Sequence, residues 1–303
     1  MQEFHVASIG AGSFGRHHAR HLSQHPLVTT VTVVDSDAAR AEALAEANGT
    51  RWTTDIASIT PDAAVIAVPT EYHRAIAEPL IARGVSVFIE KPIAGTDADA
   101  AALVAAAERA GVVLQVGHIE RFSTAFAALA AATRGVTHIA ARRHNPPRPV
   151  PPVADVVLDL MIHDIDLALT LAGAMPTTVT AFAPDGGSES AVARLTFANG
   201  VTADLSASRL SPVVERVLTV HDRDGVWRAD LAAGRLARTK DGTIAQDAEI
   251  APRDNLFTEL DEFVRAVKGG PQPTVTGRDG QAALAVAERI RSAIASTSFQ
   301  LSA

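Results

Sequence analysis

The sequence predicts two domains: an α/β domain with a doubly wound parallel sheet, then an α+β domain with a large, open, mostly antiparallel sheet and helices on one face. Three observations support this. Up to Gly117, short β-rich runs alternate with alanine-rich helical stretches, as in βαβ units. From residue 177 to 245, β-rich runs are separated by Asp-Gly and Asn-Gly pairs, which are typical of hairpins. A length of 303 residues is typical of two domains. We expect these to span residues 1–118 and 119–303.

The first domain is predicted from strands and crossover helices that alternate along the chain. The candidate strands are rich in β-branched residues and cover residues 4–10, 28–35, 63–69, 85–90 and 112–117. The periodic segments between them predict helices over Gly15–Ser23, Ala38–Asn48, 71–83 and Asp97–Ala110. This order predicts parallel strands with helices on both faces of the sheet.

The second domain is predicted to begin with a helix over residues 122–133 and a strand near 136–143, followed by a proline-rich loop at 144–152. A strongly apolar segment at 155–172 predicts another helix. The β-rich region follows, and two amphipathic helices at 255–268 and 279–296 close the chain.

Composition and charge restrict the partners and the location. The net charge of −7 provides no basic surface for a phosphate backbone. Apolar runs are shorter than the roughly 20 residues of a membrane span, and no basic segment with an apolar stretch resembles a signal peptide. The chain has no cysteine, which fits a reducing compartment. We therefore expect a cytoplasmic protein that binds neither nucleic acid nor a membrane.

A glycine-rich loop with the spacing G-x-G-x-x-G joins the first strand to the first helix. Glycines allow a tight turn and close approach to a pyrophosphate, and the helix N-terminus presents N–H groups to it. Asp35 ends the next strand, where a carboxylate can bind the ribose hydroxyls. Together these features predict a Rossmann-like dinucleotide site rather than a glycine turn without ligand. The loop residues assigned to the cofactor are Gly10, Gly12, Ser13, Phe14 and Gly15.

The cofactor is predicted to be NAD rather than NADP. The carboxylate of Asp35 repels a 2′-phosphate, and no arginine follows it immediately, since Arg40 is five positions further on.

Glu90, Lys91 and Pro92 lie at the carboxyl end of a predicted parallel strand, where open α/β sheets bind ligands. Lys91 could donate a hydrogen bond to a substrate hydroxyl. The alternative is a surface lysine paired with Glu90. We assign both residues to the cofactor site.

Further candidates for the cofactor site follow an earlier predicted strand. Pro69 and Thr70 precede a helix that His73 begins. We assign all three to the cofactor site, although His73 is equally suited to a structural role at the helix start. Of His17 and His18 in the first helix, we expect one to pack.

A narrow polar stripe crosses the helix predicted at 155–172. Asp155, Asp159, His163 and Asp166 are four, four and three residues apart, so an α-helix places them on one side. Carboxylates on an otherwise apolar segment need partners, and a substrate cleft supplies them. Asp159 can orient His163 and raise its basicity. A zinc or manganese site is the alternative, but hydride transfer to NAD needs a base and no metal, so we expect none.

Arginines bracket the proline-rich loop. Arg142, Arg143 and Arg148 could bind an anionic substrate, and a solvated basic loop is the alternative. We assign Arg142 and Arg148 to the substrate site.

These motifs together resemble the glucose-fructose oxidoreductase/inositol dehydrogenase family, known as Gfo/Idh/MocA, along essentially the whole chain. The residues that carry the resemblance are Gly10, Gly12, Gly15 and His18, then Glu90-Lys91-Pro92, then Asp159, His163 and Asp166. Residues 116–122 and 157–166 also resemble the branch that oxidises C3 of UDP-N-acetylglucosamine.

The resemblance implies an NAD-dependent dehydrogenase of a sugar or nucleotide sugar. Lys91 and His163 would be the catalytic pair, with Asp159 orienting the imidazole and His118 and Arg121 also binding the substrate. It further implies a homo-oligomer, dimer or tetramer, formed through the other side of the second sheet. The alternatives are a dehydrogenase of free inositol or hexose and a non-catalytic regulator that binds NAD.

Overall fold

The computed structural model describes residues 3–149 and 154–301, with side chains up to residue 297. The chain forms two compact units. The first contains Met1–Ile119 and Asp254–Gln281, and the second contains Glu120–Arg253 and Ala282–Ala303. The first break falls next to the expected boundary at 118/119. Residues 254–281, however, belong to the first unit, whereas the sequence assigned them to the second domain.

The first unit contains a six-stranded parallel sheet in the order β3-β2-β1-β4-β5-β6. Its strands are β1 His5–Ile9, β2 Thr30–Val34, β3 Arg51–Thr53, β4 Ala63–Ile66, β5 Ser86–Glu90 and β6 Leu114–Gly117. Five of the strands coincide with the predicted runs, and the doubly wound order is confirmed. Sequence analysis missed β3 because this edge strand is three residues long and mostly exposed.

The helices of the first unit begin where the sequence places capping residues. They are α1 Gly15–Ser23, α2 Ala38–Asn48, α3 His73–Ala82, α4 Asp97–Ala110 and α7 Asn255–Val267. Asp37 caps α2 by accepting from the N–H of Arg40, and Thr96 caps α4 by accepting from that of Asp99.

Helix α7 explains why residues 254–281 join the first unit. Its apolar residues Leu260, Phe263 and Val264 lie in one core cluster with Val6 of β1 and Phe88 of β5. The amphipathic pattern of α7 predicts a helix with one buried face but does not identify the sheet that covers it.

The second unit contains an eight-stranded sheet in the order β14-β13-β12-β11-β7-β10-β9-β8. Its strands are β7 His138–His144, β8 Pro176–Phe182, β9 Ser190–Phe197, β10 Thr202–Ser208, β11 Glu215–Asp222, β12 Gly225–Asp230, β13 Arg235–Lys240 and β14 Thr243–Glu249. Strands β7 and β10 are parallel, and the other neighbours are antiparallel. This confirms the large, mostly antiparallel sheet.

One face of the second sheet carries the core of this unit. The remaining helices are α5 Thr124–Ala132, α6 Ile162–Ala172 and α8 Gly277–Leu301. Ile139 and Ala141 of β7 are buried in one cluster with Ile162 and Ile165 of α6. Immediately before α6, Val157–Met161 form a π-helical turn instead of the predicted continuous α-helix. Within the described part of the chain, no helix is long and apolar enough to cross a membrane.

Candidate functional site

The glycine-rich loop has the geometry of a dinucleotide cradle. Gly10 has a φ of +99°, and its N–H donates to Val34 of β2 at 2.8 Å. A Cβ on Gly10 would overlap the carbonyl of Ala67, and a Cβ on Gly15 would overlap that of Gly10. Nothing lies within 4 Å of the Cβ position at Gly12. Gly10 and Gly15 therefore permit the turn, while Gly12 leaves open space beside the N-terminus of α1. Ser13 and Phe14 are exposed in this loop.

Asp35 lies against the glycine-rich loop. One carboxylate oxygen accepts from the N–H of Ala11 at 2.7 Å, and the other accepts from the N–H of Asp37 at 2.9 Å. The second oxygen also accepts from Arg40 at 2.8 Å, so the fold brings in an arginine that its distance along the chain had seemed to exclude. Burial alone raises the pKa of Asp35, but these N–H groups and Arg40 lower it below its usual value. Asp35 is therefore held as the carboxylate that a ribose diol requires.

Lys91 follows β5 and is half-buried. The preceding Glu90 accepts from Nε2 of His18 on α1 at 2.7 Å, and its other oxygen accepts from the N–H of Lys91 at 3.2 Å. Burial alone raises the pKa of Glu90, but His18 and Lys91 lower it overall. The hydrogen bond thus joins α1 to the residue before Lys91, and His18 has a structural contact of its own.

His73 is fully buried. Its ring nitrogens lie 2.9 Å from the carbonyl oxygen of Val68 and 3.0 Å from that of Pro92. Burial lowers the pKa of His73 despite these carbonyls. The ring therefore links the loop after β4 to the loop that carries Lys91. This placement corrects our assignment of His73 to the cofactor, because both ring nitrogens already face backbone atoms. Pro69 and Thr70 remain at the surface of the same loop.

The predicted polar stripe is divided by the π-helical turn. Asp155 caps the turn by accepting from the N–H groups of Val157 and Leu158, and it pairs with Arg291 at 2.7 Å. Asp159 lies in the turn and accepts from Arg209 at 3.3 Å. A π-helical turn therefore replaces part of the regular α-helix from which the stripe was predicted.

His163 lies half-buried in the first turn of α6, and His118 is buried at the end of β6. In the described ranges, no three His, Asp or Glu side chains are grouped to hold a metal ion.

Two of the predicted anion-binding arginines are held in buried ion pairs. Arg121 donates from Nε and Nη2 to both oxygens of Asp166, at 2.8 and 3.0 Å. Arg143 donates to both oxygens of Asp164 at 2.9 Å and to Glu120 at 2.6 Å. Burial alone lowers the pKa of Arg143, but Asp164 and Glu120 raise it above its usual value. Binding a phosphate here would require breaking these pairs, which argues against Arg121 as a phosphate ligand.

Arg142 lies on the other face of the second sheet. Side chains alternate along a strand, so Arg142 faces away from the side on which Ile139 and Ala141 pack against α6. Its guanidinium is 3.7 Å from Glu215. This position corrects the assignment of Arg142 to the same substrate site as α6. Arg148 is exposed, and residues 150–153 beyond it lie outside the described residues.

Sequence analysis missed the partners in these pairs. Glu120 and Asp164 lie 23 and 21 residues from Arg143 along the chain, and Arg209 lies 50 residues from Asp159. No spacing rule connects such positions. The only sequence signal was the presence of charged residues in otherwise apolar segments.

Comparisons with known proteins agree with this architecture. Residues 4–118 match "Oxidoreductase family, NAD-binding Rossmann fold", and residues 130–228 match "GFO/IDH/MocA C-terminal domain". The UDP-N-acetylglucosamine 3-dehydrogenase of Acidithiobacillus ferrooxidans is 32% identical over 97% of this chain and 98% of that protein. Its solved structure has a TM-score of 0.90, with 31% identity over 97% of this chain and 98% of that one. The inositol 2-dehydrogenase of Rhizobium meliloti is 30% identical over 92% of this chain and 93% of that protein.

The matches cover both units and confirm both the family resemblance and the predicted cofactor. The cofactor is NAD, and the segment that matches the NAD-binding model includes the glycine-rich loop and Asp35. The chain belongs to the Gfo/Idh/MocA family and is an NAD-dependent oxidoreductase.

Proposed function

We propose that this enzyme is a sugar dehydrogenase that oxidises a secondary hydroxyl, namely C3 of UDP-N-acetylglucosamine, to a ketone. The supporting observation is the similarity to the UDP-N-acetylglucosamine 3-dehydrogenase, which extends over 97% of the chain at 32% identity. The chain also has Lys91, Asp159 and His163 at the positions where the family resemblance implies catalytic groups.

Each of these side chains has a distinct role in the proposal. A ring nitrogen of His163 accepts the hydroxyl proton, and Nζ of Lys91 donates a hydrogen bond to the reacting oxygen. Asp159 orients the imidazole of His163. The loop at Gly10–Gly15 and the carboxylate of Asp35 would hold the dinucleotide, which would supply the hydride acceptor for this oxidation.

A dehydrogenase of free inositol or hexose is the second candidate. It is favoured by the similarity to inositol 2-dehydrogenase and by the positions of the arginines. Arg121 is paired with Asp166, and Arg142 lies on the other sheet face, so only Arg148 remains of the arginines assigned to a diphosphate. A free cyclitol needs no such cation.

Isotopic labelling separates the two candidates and identifies the carbon. The purified enzyme is incubated with NAD and UDP-N-acetylglucosamine deuterated at C3 or, as a matched control, at C4. We expect deuterium in the reduced cofactor from the C3-labelled substrate alone. Transfer from C4 would contradict the C3 assignment, and turnover of myo-inositol without turnover of UDP-sugars would establish the second candidate.

Substitution of the proposed catalytic groups tests the mechanism. General acid–base assistance contributes about 10²- to 10⁴-fold in rate. His163→Ala and Lys91→Ala are therefore each expected to lower kcat by that order, while NAD binding, measured by calorimetry, persists. Wild-type turnover in either variant would remove that residue from the mechanism. A lowered kcat in both variants, with NAD binding retained, would support the pair.

The proposal includes the homo-oligomer that the family resemblance implies. It is supported by the placement of α6 on one face of the second sheet, while Arg142 and Arg194 are exposed on strands of that sheet. Light scattering coupled to size-exclusion chromatography is expected to give a dimer or tetramer, and a monomer at micromolar concentration would contradict it.

A further inference from the structure

Arg209 is a buried cation that neither the sequence motifs nor the proposed mechanism uses. It follows β10 directly, and its side chain is 3% exposed. A buried guanidinium is costly unless all of its N–H groups find acceptors. The acceptors around Arg209 therefore indicate which groups the buried guanidinium holds in place.

All five N–H donors of the guanidinium are used. Nε donates to Glu189 at 3.0 Å, and Nη2 donates to the carbonyl of Ser188 and to Glu189, each at 3.1 Å. Nη1 donates to the carbonyl of Ala154 at 2.9 Å and to Asp159 at 3.3 Å. Lysine has only three donors and cannot reproduce this fork.

These contacts join three segments of the second unit. Ala154 precedes the π-helical turn, Asp159 lies within it, and Ser188 and Glu189 precede β9. Glu189 takes two of the donors and is 38% exposed, whereas Asp159 takes one and is 22% exposed. Arg209 therefore fixes Asp159, the less exposed carboxylate, through a single hydrogen bond. Asp159 lies on a π-helical turn, whose backbone hydrogen bonds are irregular.

We propose that Arg209 is a positioning residue for the reaction: it holds the carboxylate of Asp159 in place on the π-helical turn, so that Asp159 can orient His163. The inference rests on the proposed function, because it takes His163 as the general base and Asp159 as the residue that orients it. A guanidinium serving only to brace the β8–β9 loop would be satisfied by Glu189 and by backbone carbonyls. Its fifth donor instead reaches Asp159.

The charge of Arg209 predicts the sign of a pH effect. A cation bonded to the residue that orients His163 opposes protonation of the imidazole. Removing the cation is therefore expected to shift the acid limb of the kcat/KM profile to higher pH. The other charged groups around this turn are Glu189, Asp155 and Arg291.

The test compares Arg209→Met and Arg209→Lys with Arg291→Met. The control removes an arginine from Asp155, the neighbouring carboxylate at the start of the same turn. Because misplacement of a catalytic group can cost about 100-fold in rate, we expect Arg209→Met to lower kcat by about 10- to 100-fold with little change in KM. Its acid limb should move to higher pH. Arg209→Lys keeps the charge, so kcat should fall while the acid limb stays in place. Arg291→Met should change neither.

Urea unfolding of each variant, followed by the fluorescence of Trp227 in a Trp52→Phe background, controls for folding of the second unit. If Arg209→Met does not fold, Glu189→Gln provides the second measurement. It leaves the charge of Arg209 less neutralised, and the acid limb should then move to lower pH.

Two kinds of failure can be distinguished. If Arg209→Met lowers only the melting temperature and leaves kcat and the pH profile unchanged, Arg209 braces the fold and the inference is wrong. An unchanged profile in Glu189→Gln would overturn it in the same way. If His163→Ala and Asp159→Asn retain wild-type activity, the proposed function itself fails.

Discussion

The two units position their polar groups by different physical means. In the first unit, Asp35 and the glycine-rich loop are held by backbone geometry and by N–H groups such as that of Ala11. In the second unit, side chains are held by buried arginine–carboxylate pairs, such as Arg121 with Asp166. Removing one side chain near a backbone turn is expected to cost little folding free energy. Removing one partner of a buried ion pair costs much more, because the other partner is left charged and desolvated.

Arg143→Met is expected to have the largest effect on stability. It removes the guanidinium that bonds Asp164 and Glu120, whose side chains are 5% and 9% exposed, and leaves Glu120 with the more distant Arg216 at 3.8 Å. Breaking a buried pair in this way costs about 3–5 kcal/mol. The chain has two tryptophans, one in each unit, at positions 52 and 227. In a Trp52→Phe background, urea unfolding followed by fluorescence should therefore report this loss in the second unit.

A matched pair on the same sheet provides the control. Arg194 pairs with Asp204 through two hydrogen bonds of 2.6 Å, but its side chain is 63% exposed. Exposed pairs contribute about 0–1 kcal/mol, so Arg194→Met should have a small effect. Equal losses from the two substitutions would show that burial does not govern stability here, and the contrast between the units would disappear.

Asp35→Ala tests the first unit, where we expect an effect on cofactor binding rather than on folding. Hydrogen bonds to a charged group contribute about 1.5–3 kcal/mol, and 1.4 kcal/mol is tenfold in affinity. The Kd for NAD should therefore rise about tenfold or more. NADP should bind more tightly than it does to the wild type, because the substitution removes the repelling carboxylate and releases Arg40.

Calorimetric titration of the variant with both dinucleotides is the measurement. Unfolding of the first unit, followed through Trp52, should change little. If the wild type already binds NADP more tightly than NAD, the assigned role of Asp35 is wrong.

The contrast between the units also explains what the sequence could predict. The glycine spacing and the carboxylate after β2 act within one βαβ unit, so the cofactor site followed from local pattern. The arrangement of the polar stripe could not be predicted from local pattern. Its α-helical spacing assumed a regular helix, but a π-helical turn intervenes at Val157–Met161. Arg121 was assigned to the substrate and Arg143 was a candidate for an anionic substrate. Their carboxylate partners were missed because they lie 45 and 21 residues away along the chain.

The smallest expected effect is on the pH dependence of the free energy of unfolding, and it is caused by a histidine in the first unit. His25 is buried after α1. Its Nε2 lies 3.1 Å from Asp261 of α7, and its Nδ1 accepts from the N–H of Leu27 at 3.2 Å. Nδ1 must therefore be unprotonated, and Nε2 carries the proton. Burial lowers the pKa of His25 below its ordinary 6.5, although Asp261 opposes the shift. Protonation would cost the hydrogen bond from Leu27.

The sign of the effect follows from the lowered pKa of His25. Below pH 6.5 the unfolded chain binds a proton that the folded ring resists, so the free energy of unfolding falls as the pH drops toward the folded pKa. One group contributes at most about 1.4 kcal/mol per pH unit. In a Trp227→Phe background, Trp52 fluorescence should show a shallower pH slope for His25→Gln than for the wild type. His17→Gln, on the exposed side of α1, should leave the slope unchanged. A full slope in His25→Gln would mean that other groups cause the acid sensitivity, and that the contact between α1 and α7 does not titrate through this ring.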